Sequence, residues 1–421
     1  MLKTLASIAS LLAGQGMLLL GNGLFGTLLG VRTRLEGFTT EVTGIVMAGY
    51  FVGMLLAAMS AIRVVIAVGH IRAYAAFASI MSVSALLHVL LVEPTVWFVL
   101  RVMSGYCMAG MAMVSESWLN ERSTNETRGQ VLSIYMITTY LGAGVGQFLL
   151  VIGAPERFEL FSLASILFSF ALVPVLLTRA KAPAPVRPGR FSLRQLYKVS
   201  PLGVFGCFAA GLANAAFYGL GPVFAQGVGL PLAGVSTFMA SVILAGMASQ
   251  WPVGRISDKM DRRTLLATIA FASVGVAAAI ALTAEDSPNL LYWLAALYGG
   301  LTFTVYSISV AHANDYVETK HLVQASGGLV MAYGIGASAG PVVASAIMGQ
   351  IGPAGLFYYT AMIGLVLGGF TMFRMTRRSA MPKEERGRYM PISTAAPTAK
   401  TLYASASRDQ RDKDIARMSR M

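Results

Sequence analysis

The sequence predicts an all-α polytopic membrane protein in which twelve transmembrane helices form two pseudo-symmetric six-helix bundles. The first observation is composition: 56% of the 421 residues are hydrophobic and 12% are charged, which is typical of membrane proteins. The second is a series of apolar stretches of about 20 residues, each long enough to cross a hydrocarbon core of roughly 30 Å. The third is a set of glycine motifs that recurs at a constant offset in the two halves of the chain.

The apolar stretches cover most of the chain up to residue 375. Glycine and proline interrupt many of them, which membrane helices tolerate because neighbouring helices satisfy the freed backbone groups. The first stretch follows Lys3, as in a signal peptide, but it continues to Gly30 without a small-residue cleavage site and is interpreted as the first helix. The twelve predicted spans lie near residues 5–30, 42–66, 73–92, 95–118, 129–152, 158–178, 201–226, 232–253, 264–284, 288–312, 321–349 and 354–375.

A basic linker divides the chain into two halves. The fifth helix carries Gly142-x-x-x-Gly146 and the eleventh carries Gly336-x-x-x-Gly340, 194 residues later. This offset favours a duplicated six-helix unit with a substrate site near the membrane midplane. The predicted domains are an N-terminal bundle (1–178), a cytoplasmic linker (179–200) with a short amphipathic helix near 191–198, a C-terminal bundle (201–375) and a basic, disordered tail (376–421).

The net charge of +13 comes largely from the linker, the tail and a turn at residues 251–263. Because Lys and Arg are concentrated in cytoplasmic loops, this asymmetry predicts that both termini, the linker and the turn lie in the cytoplasm. The expected location is the plasma membrane, or the inner membrane in a bacterium. The positive charge is explained by its role in orienting the protein in the membrane and by its attraction to anionic lipid head groups, so no nucleic-acid partner is expected. We expect a monomer in the bilayer.

The sequence contains no recognisable catalytic or cofactor motif. Because a Ser-His-Asp arrangement, a metal-ligand cluster and a phosphate-binding loop are all missing from it, we expect neither an enzyme nor a bound metal or cofactor. The two cysteines, Cys107 and Cys207, lie within apolar helices and are predicted to be small core residues.

Ionisable residues inside the predicted helices are few and therefore informative. Arg101 lies about two turns inside the fourth helix, where an arginine must pair, contact water or snorkel; a role in substrate binding or in a proton-linked network is expected. Glu116 lies about 22 Å further along the same helix. Glu116 can carry a proton for coupled transport or form a structural ion pair. Asp315, at the end of the tenth helix, presents the same two alternatives.

Neutral polar side chains recur at helical spacing on the first, seventh and tenth helices. They can line a central cavity or form hydrogen bonds between helices. Charged networks are sparse at mid-membrane, so aromatic, amide and methionine side chains favour a neutral or amphipathic organic solute. The candidates for the substrate cavity are Asn22, Arg101, Asn214, Tyr218, Tyr298, Thr302 and Tyr306.

Three motifs resemble those of the major facilitator superfamily of transporters. The turn at residues 254–263 resembles its signature loop, residues 101–110 resemble its arginine motif, and residues 336–341 resemble the glycine–proline motif of antiporters, here on the eleventh helix instead of the fifth. The combination of segments 114–119, 128–132, 250–255 and 338–341 is similar to the YcaD-type branch. The implied gating residues are Gly254, Arg255, Asp258, Arg262, Arg263, Gly336, Gly340 and Pro341.

The resemblance implies a secondary active transporter that works by alternating access, with the first, fourth, seventh and tenth helices facing the cavity. We expect proton-coupled export of a small neutral or amphipathic organic solute. Uptake of a neutral metabolite and a membrane sensor that binds a solute without moving it are the alternatives. The expected partners are therefore the solute, protons and the lipid bilayer.

Overall fold

The computed structural model describes residues 2–124, 127–177, 192–318, 321–382 and 385–391. Within these ranges the regular elements are helices, and 12 of them are long and apolar enough to cross a membrane. Both findings confirm the predicted fold class.

The N-terminal half consists of six long helices, the fifth of which ends in a 3₁₀ segment. Their bounds are α1 Leu2–Leu35, α2 Thr40–Val68, α3 His70–Leu90, α4 Pro94–Glu121, α5 Arg128–Gly146 with the 3₁₀ segment Gln147–Ile152, and α6 Glu159–Leu176.

The C-terminal half follows the same plan after one short helix. This short helix, α7 (Leu193–Val199), overlaps the region of the predicted amphipathic helix. The long helices are α8 Pro201–Gly227, α9 Leu232–Lys259, α10 Arg262–Thr283, α11 Pro288–Asp315, α12 Leu322–Ile351 and α13 Gly355–Arg377.

Several long helices begin at a polar cap followed by proline. Glu93 accepts a hydrogen bond from the Val96 amide at 2.8 Å, and Ser287 caps α11 in the same way. Each cap satisfies one of the amides that the first helical turn leaves unpaired, and the proline that follows has no amide to satisfy. The Val96 amide also holds the pKa of the exposed Glu93 carboxyl below its usual range. These caps explain why the helices start where they do.

The repeated glycines are sites of close helix crossing in both halves. A Cβ at Gly146 on α5 would overlap the carbonyl oxygen of Leu20 on α1. In the C-terminal half, a Cβ at Gly340 on α12 would overlap the carbonyl oxygen of Leu212 on α8. Glycine is therefore required at both positions because the helix backbones touch there. The two crossings are equivalent, as expected for a duplicated unit.

We call the end of the bundle where α9 meets α10 the motif side and the other end the opposite side. The two halves touch closely near the opposite side. A Cβ at Gly30 on α1 would lie 3.0 Å from the Pro222 side chain on α8, and a Cβ at Gly44 on α2 would overlap the Ser345 side chain on α12. Further into the bundle, α5 packs against α9.

The predicted linker and tail are described only in part. Residues 178–191 of the linker region and 392–421 of the tail lie outside the described residues. Residues 385–391 of the tail are described, and they contact the turn between α9 and α10. The domain boundaries proposed from sequence stay predictions.

Candidate functional site

A cavity lies between the two halves of the bundle. It is bordered by α1, α2, α4 and α5 of the first half and by α8 and α9 of the second. Its lining residues are Asn22, Gly23, Gly26, Thr27, Tyr50, Phe51, Met54, Arg101, Ala143, Gln147, Tyr218, Gly219, Met239 and Ile243. Three of the predicted cavity residues, Asn22, Arg101 and Tyr218, are thus brought together.

Arg101 is the one charged residue among the described residues that line this cavity. It is 4% exposed, and its Nε and Nη1 atoms have no hydrogen-bond partner among the described residues. Its guanidinium carbon lies 4.5 Å from the centre of the Tyr50 ring. Such a cation–π contact contributes about 0.5–2 kcal/mol. Placing an arginine at the centre of a membrane helix costs roughly 2.5–3.5 kcal/mol on the lowest insertion scale. The contact with Tyr50 alone therefore does not offset the cost of burying Arg101.

Gln147 also lines the cavity, but its side-chain amide is saturated by neighbouring helices. The amide nitrogen donates to the carbonyl oxygens of Gly23 at 3.1 Å and Ala143 at 3.0 Å. The amide oxygen accepts a hydrogen bond from Thr27 Oγ1. Gln147 therefore joins the end of α5 to α1 and fixes this wall of the cavity.

The other predicted cavity residues lie in the core of the C-terminal half. Tyr298 packs against the Phe357 ring at 5.2 Å, and Thr302 donates to the Tyr298 carbonyl oxygen at 2.8 Å. Tyr306 lies 4.8 Å from the Tyr333 ring. Asn214 is 1% exposed on α8. The two aromatic contacts hold α11 against α13 and α12, whereas the Thr302 hydrogen bond lies within α11. None of the four predicted residues is among the described residues that line this cavity.

Glu116 is buried within the N-terminal half. It is 0% exposed, and Tyr135 on α5 donates a hydrogen bond to its Oε1 atom at 3.3 Å. Glu116 is also not among the described residues that line the cavity. A change in its protonation would therefore act on the hydrogen bond that links α4 to α5.

The turn between α9 and α10 is organised by Arg262. Its Nη1 atom lies 2.6 Å from Asp315 Oδ1 at the end of α11 and donates to the Ala311 carbonyl oxygen at 2.8 Å. Its Nη2 atom lies 3.6 Å from Asp258 Oδ1. Arg262 and Asp315 are 2% and 3% exposed at their side chains. The buried Arg262–Asp315 pair joins α10 to α11 at a depth where water hardly screens the two charges, and the more exposed Asp258 links the same guanidinium to α9.

The remaining charges of the turn have local partners. Asp261 caps α10 by accepting the Arg263 amide at 3.0 Å, and the Arg263 side chain lies 2.7 Å from the same carboxyl. Burial of the Asp261 carboxyl favours its neutral form, but the hydrogen bonds from Arg263 outweigh that effect and hold its pKa below the usual range. Arg255 stacks on the exposed ring of Trp251 at 3.6 Å. The predicted motif thus forms one connected surface on the motif side.

The tail adds a segment that sequence reasoning missed. The Tyr389 amide donates to Asp258 Oδ1 at 2.7 Å, and the Gly387 amide donates to Asp315 Oδ1 at 3.1 Å. Arg386 donates to the Met260 carbonyl oxygen at 2.8 Å. We call residues 385–391 the tail segment. Its contacts are mainly to backbone atoms and to motif side chains more than 70 positions away, so no local sequence pattern signals them.

Two helical halves of six membrane-spanning helices each, with a cavity between them, define a multi-pass membrane transporter. The model of the Major Facilitator Superfamily matches residues 11–327 and 252–410 of the sequence. The chain therefore belongs to the major facilitator superfamily, and it is similar to the YcaD-type branch.

Two relatives show this similarity. Both are described as an uncharacterised MFS-type transporter YcaD, from Escherichia coli strains UMN026 and HS. Each is 27% identical over 358 residues, which span 85% of this chain and 92% of the relative.

Solved structures with the same fold include the nucleoside transporter NupG and a point mutant of it. NupG aligns with a TM-score of 0.72 over 88% of this chain and 99% of its own, and the mutant with a TM-score of 0.73 over 87% and 99%. Both are 14% identical in sequence, so this likeness shows the fold alone.

Proposed function

We propose that the protein is a secondary active transporter that exports a small neutral or amphipathic organic solute by alternating access. The observation that carries this proposal is a cavity whose wall comes from both halves of the bundle. A solute held there contacts both halves, so its binding free energy can favour one arrangement of the halves over the other. Phe51, Met54, Met239 and Ile243 offer apolar surface, and Asn22 offers a neutral polar group.

The orientation follows from charge. We place the motif side in the cytoplasm, because the turn around Arg262 and the tail are rich in Lys and Arg. Both termini are then cytoplasmic. The protein is a monomer of the plasma membrane, or of the inner membrane if the source is bacterial.

Protons are the proposed driving force, with Glu116 as the first coupling group. Its complete burial supports this role, since a carboxyl that gains or loses a proton there must change its hydrogen bond with Tyr135 on α5. Asp315 is the second candidate. Its protonation would remove the nearer of the two acidic partners of Arg262 and loosen the turn between α9 and α10.

The test uses purified protein in liposomes with an imposed pH gradient. Solutes that raise the melting temperature are first selected from a panel of neutral and amphipathic compounds, which includes nucleosides because NupG shares the fold. Each selected solute is then assayed for accumulation against its gradient and for exchange between the two sides. Accumulation that requires the pH gradient supports proton-coupled transport. Binding with neither accumulation nor exchange would instead support a sensor.

A further inference from the structure

We propose that the transported solute is an amphipathic organic monoanion whose carboxylate, or a similar oxyanion, pairs with Arg101. This inference rests on the proposed transport function and specifies its substrate class. The starting observation is that Arg101 is 4% exposed and lines a cavity to which the described residues contribute no counter-ion. A buried cation is stable only when it is paired, and among the described lining residues none is Asp or Glu. The solute is therefore the group that supplies the negative charge.

The shape of the arginine narrows the class of anion. Its planar fork presents parallel N–H donors that match the two oxygens of a carboxylate. Nε and Nη1 are buried and have no hydrogen-bond partner among the described residues, so the protein leaves part of the donor capacity of Arg101 unused. A single cation neutralises a single negative charge, and a dianion would bring an uncompensated charge into a low-dielectric site.

The rest of the cavity indicates what the anion is attached to. Phe51, Met54, Met239 and Ile243 contribute apolar surface to the same lining. The Tyr50 ring covers the guanidinium at 4.5 Å and leaves an aromatic face beside the proposed carboxylate site. An apolar or aromatic body with one carboxylate fits both features, whereas a sugar-like solute would leave the apolar wall without a partner.

The test compares acids with their uncharged amides. The probes are benzoate and benzamide, indole-3-acetate and indole-3-acetamide, and octanoate and octanamide. Binding to purified protein is measured by thermal shift and by titration calorimetry. For at least one pair we expect the acid to bind at least tenfold more tightly than the amide. Arg101→Gln should abolish this difference by weakening acid binding alone, and Arg101→Lys should retain part of it.

Arg63→Gln is the matched control, because it removes one positive charge from α2 at a position outside the described cavity lining. It should leave the acid–amide difference unchanged. Folding of every variant is checked by gel filtration in detergent. If no acid binds wild type more tightly than its amide, or if Arg101→Gln retains the full difference, the monoanion proposal is overturned. A neutral solute that is accumulated without dependence on Arg101 would overturn it while leaving the transport function intact. Acids that bind through Arg101 but are neither accumulated nor exchanged would leave the anion site intact and refute transport.

A separate observation, the docked tail, supports a second proposal. We propose that the tail segment is an internal latch that restrains the α9–α10 turn and slows the change between access states. Its backbone amides donate hydrogen bonds to the carboxylates of Asp258 and Asp315, and its Gly387 carbonyl oxygen accepts one from Arg262. These three motif side chains are therefore held by the tail in the arrangement seen here.

The latch also reaches the boundary between the two halves. The Tyr389 hydroxyl donates to Gln250 Oε1 on α9, and Gln250 Nε2 donates to the Tyr140 hydroxyl on α5 at 3.2 Å. The Tyr389 ring lies directly on Gly254, where an added Cβ would be 2.5 Å from Cδ1 of the ring. Separation of α5 from α9 breaks the Gln250–Tyr140 bond. The tail segment thus stabilises an arrangement in which the two halves are joined at this point.

Two truncations test the latch. One chain ends after residue 382 and lacks the tail segment, and the control chain ends after residue 391 and retains it. Spin labels at the exposed Glu121 and Arg377 positions report the distance between the halves on the motif side by pulsed electron resonance. We expect the shorter chain to show a broader distance distribution and faster solute exchange. A synthetic peptide of residues 385–391 should restore the narrow distribution.

The point variant Tyr389→Ala should behave like the shorter chain, and Tyr389→Phe should show a smaller effect because it keeps the ring on Gly254. The latch proposal is wrong if the two truncations have the same distance distribution and the same exchange rate. It is also wrong if the shorter chain exchanges solute more slowly than the control. Neither outcome bears on the anion site at Arg101, since the difference between acid and amide is measured there by binding.

Discussion

Replacing Asp315 by asparagine is expected to destabilise the C-terminal half strongly. Arg262 Nη1 lies 2.6 Å from Asp315 Oδ1, and the two side chains are 2% and 3% exposed. Asparagine keeps the size of the side chain and one acceptor oxygen but removes the negative charge. Arg262 would then be buried beside a neutral partner, which stabilises a cation far less than a carboxylate does.

The expected loss of unfolding free energy depends on the partners that Arg262 keeps in the variant. Breaking a buried ion pair by removing one charge costs about 3–5 kcal/mol. Because Arg262 retains the Ala311 carbonyl oxygen at 2.8 Å and Asp258 at 3.6 Å, we expect the lower limit, about 3 kcal/mol. A cooperative unit of about 150–250 residues loses roughly 2–4 °C of melting temperature per kcal/mol, so the expected fall is about 6–12 °C.

The melting temperature is measured by the labelling of the buried Cys207 thiol. Cys207 is 0% exposed in the C-terminal half, so a fluorogenic thiol reagent labels it only when that half opens. In a Cys107→Ala background, Cys207 is the sole reporter thiol of the chain. Melting curves are recorded in detergent for the parent, for Asp315→Asn and for the control Asp286→Asn, which removes an exposed acidic residue on the opposite side.

A melting temperature of Asp315→Asn equal to that of Asp286→Asn would refute the stabilising role of the ion pair. If such a stable variant also lost accumulation driven by the pH gradient, Asp315 would be a coupling group. If it melts early, as we expect, the double variant Asp315→Leu/Arg262→Met should recover much of the stability, because neither charge is then buried alone.

Three further outcomes are expected. Gly340→Val should lower the melting temperature or prevent assembly because its side chain would overlap Leu212, whereas Gly369→Val, which has no neighbour within 4 Å, should melt like wild type in the same thiol assay. Arg101→Met should raise the melting temperature of ligand-free protein, since it removes a buried cation without a counter-ion, and a lower value would show that the cation has a partner. Glu116→Gln should keep solute exchange in liposomes but lose accumulation driven by a pH gradient; equal accumulation would remove Glu116 from the coupling mechanism.

The sequence alone was sufficient for the fold class. Each span must bury its own backbone hydrogen bonds in hydrocarbon, so hydropathy over about 20 residues identifies it without knowledge of its neighbours. The glycine repeats were also informative, because glycine is needed where two helix backbones touch, as they do at Gly146 and Gly340. The charged turn at residues 254–263 could be recognised for a similar reason: its charges cannot lie in lipid, and its spacing is distinctive.

Tertiary structure decided which polar side chains share the cavity. Helical periodicity predicted that Tyr298, Thr302 and Tyr306 share one face of α11, but it could not tell whether that face turns to a cavity or to a neighbouring helix. In a membrane bundle both environments contain aromatic and hydroxyl side chains, so the sequence pattern is the same. The structure places Tyr298 and Tyr306 in aromatic contacts with neighbouring helices, buries Thr302 beside Tyr298, and brings Tyr50 and Gln147 to the cavity instead.

Two further features depended on contacts between distant parts of the chain. That no described residue supplies Arg101 with a counter-ion can be known only after every neighbouring helix is in place, since any acidic residue on another helix could have paired with it. The position of Tyr389 on Gly254 joins residues more than 130 positions apart. Hydropathy and helical spacing are local properties and therefore determined the spans, whereas charge pairing and docking depend on which surfaces the folded bundle brings together.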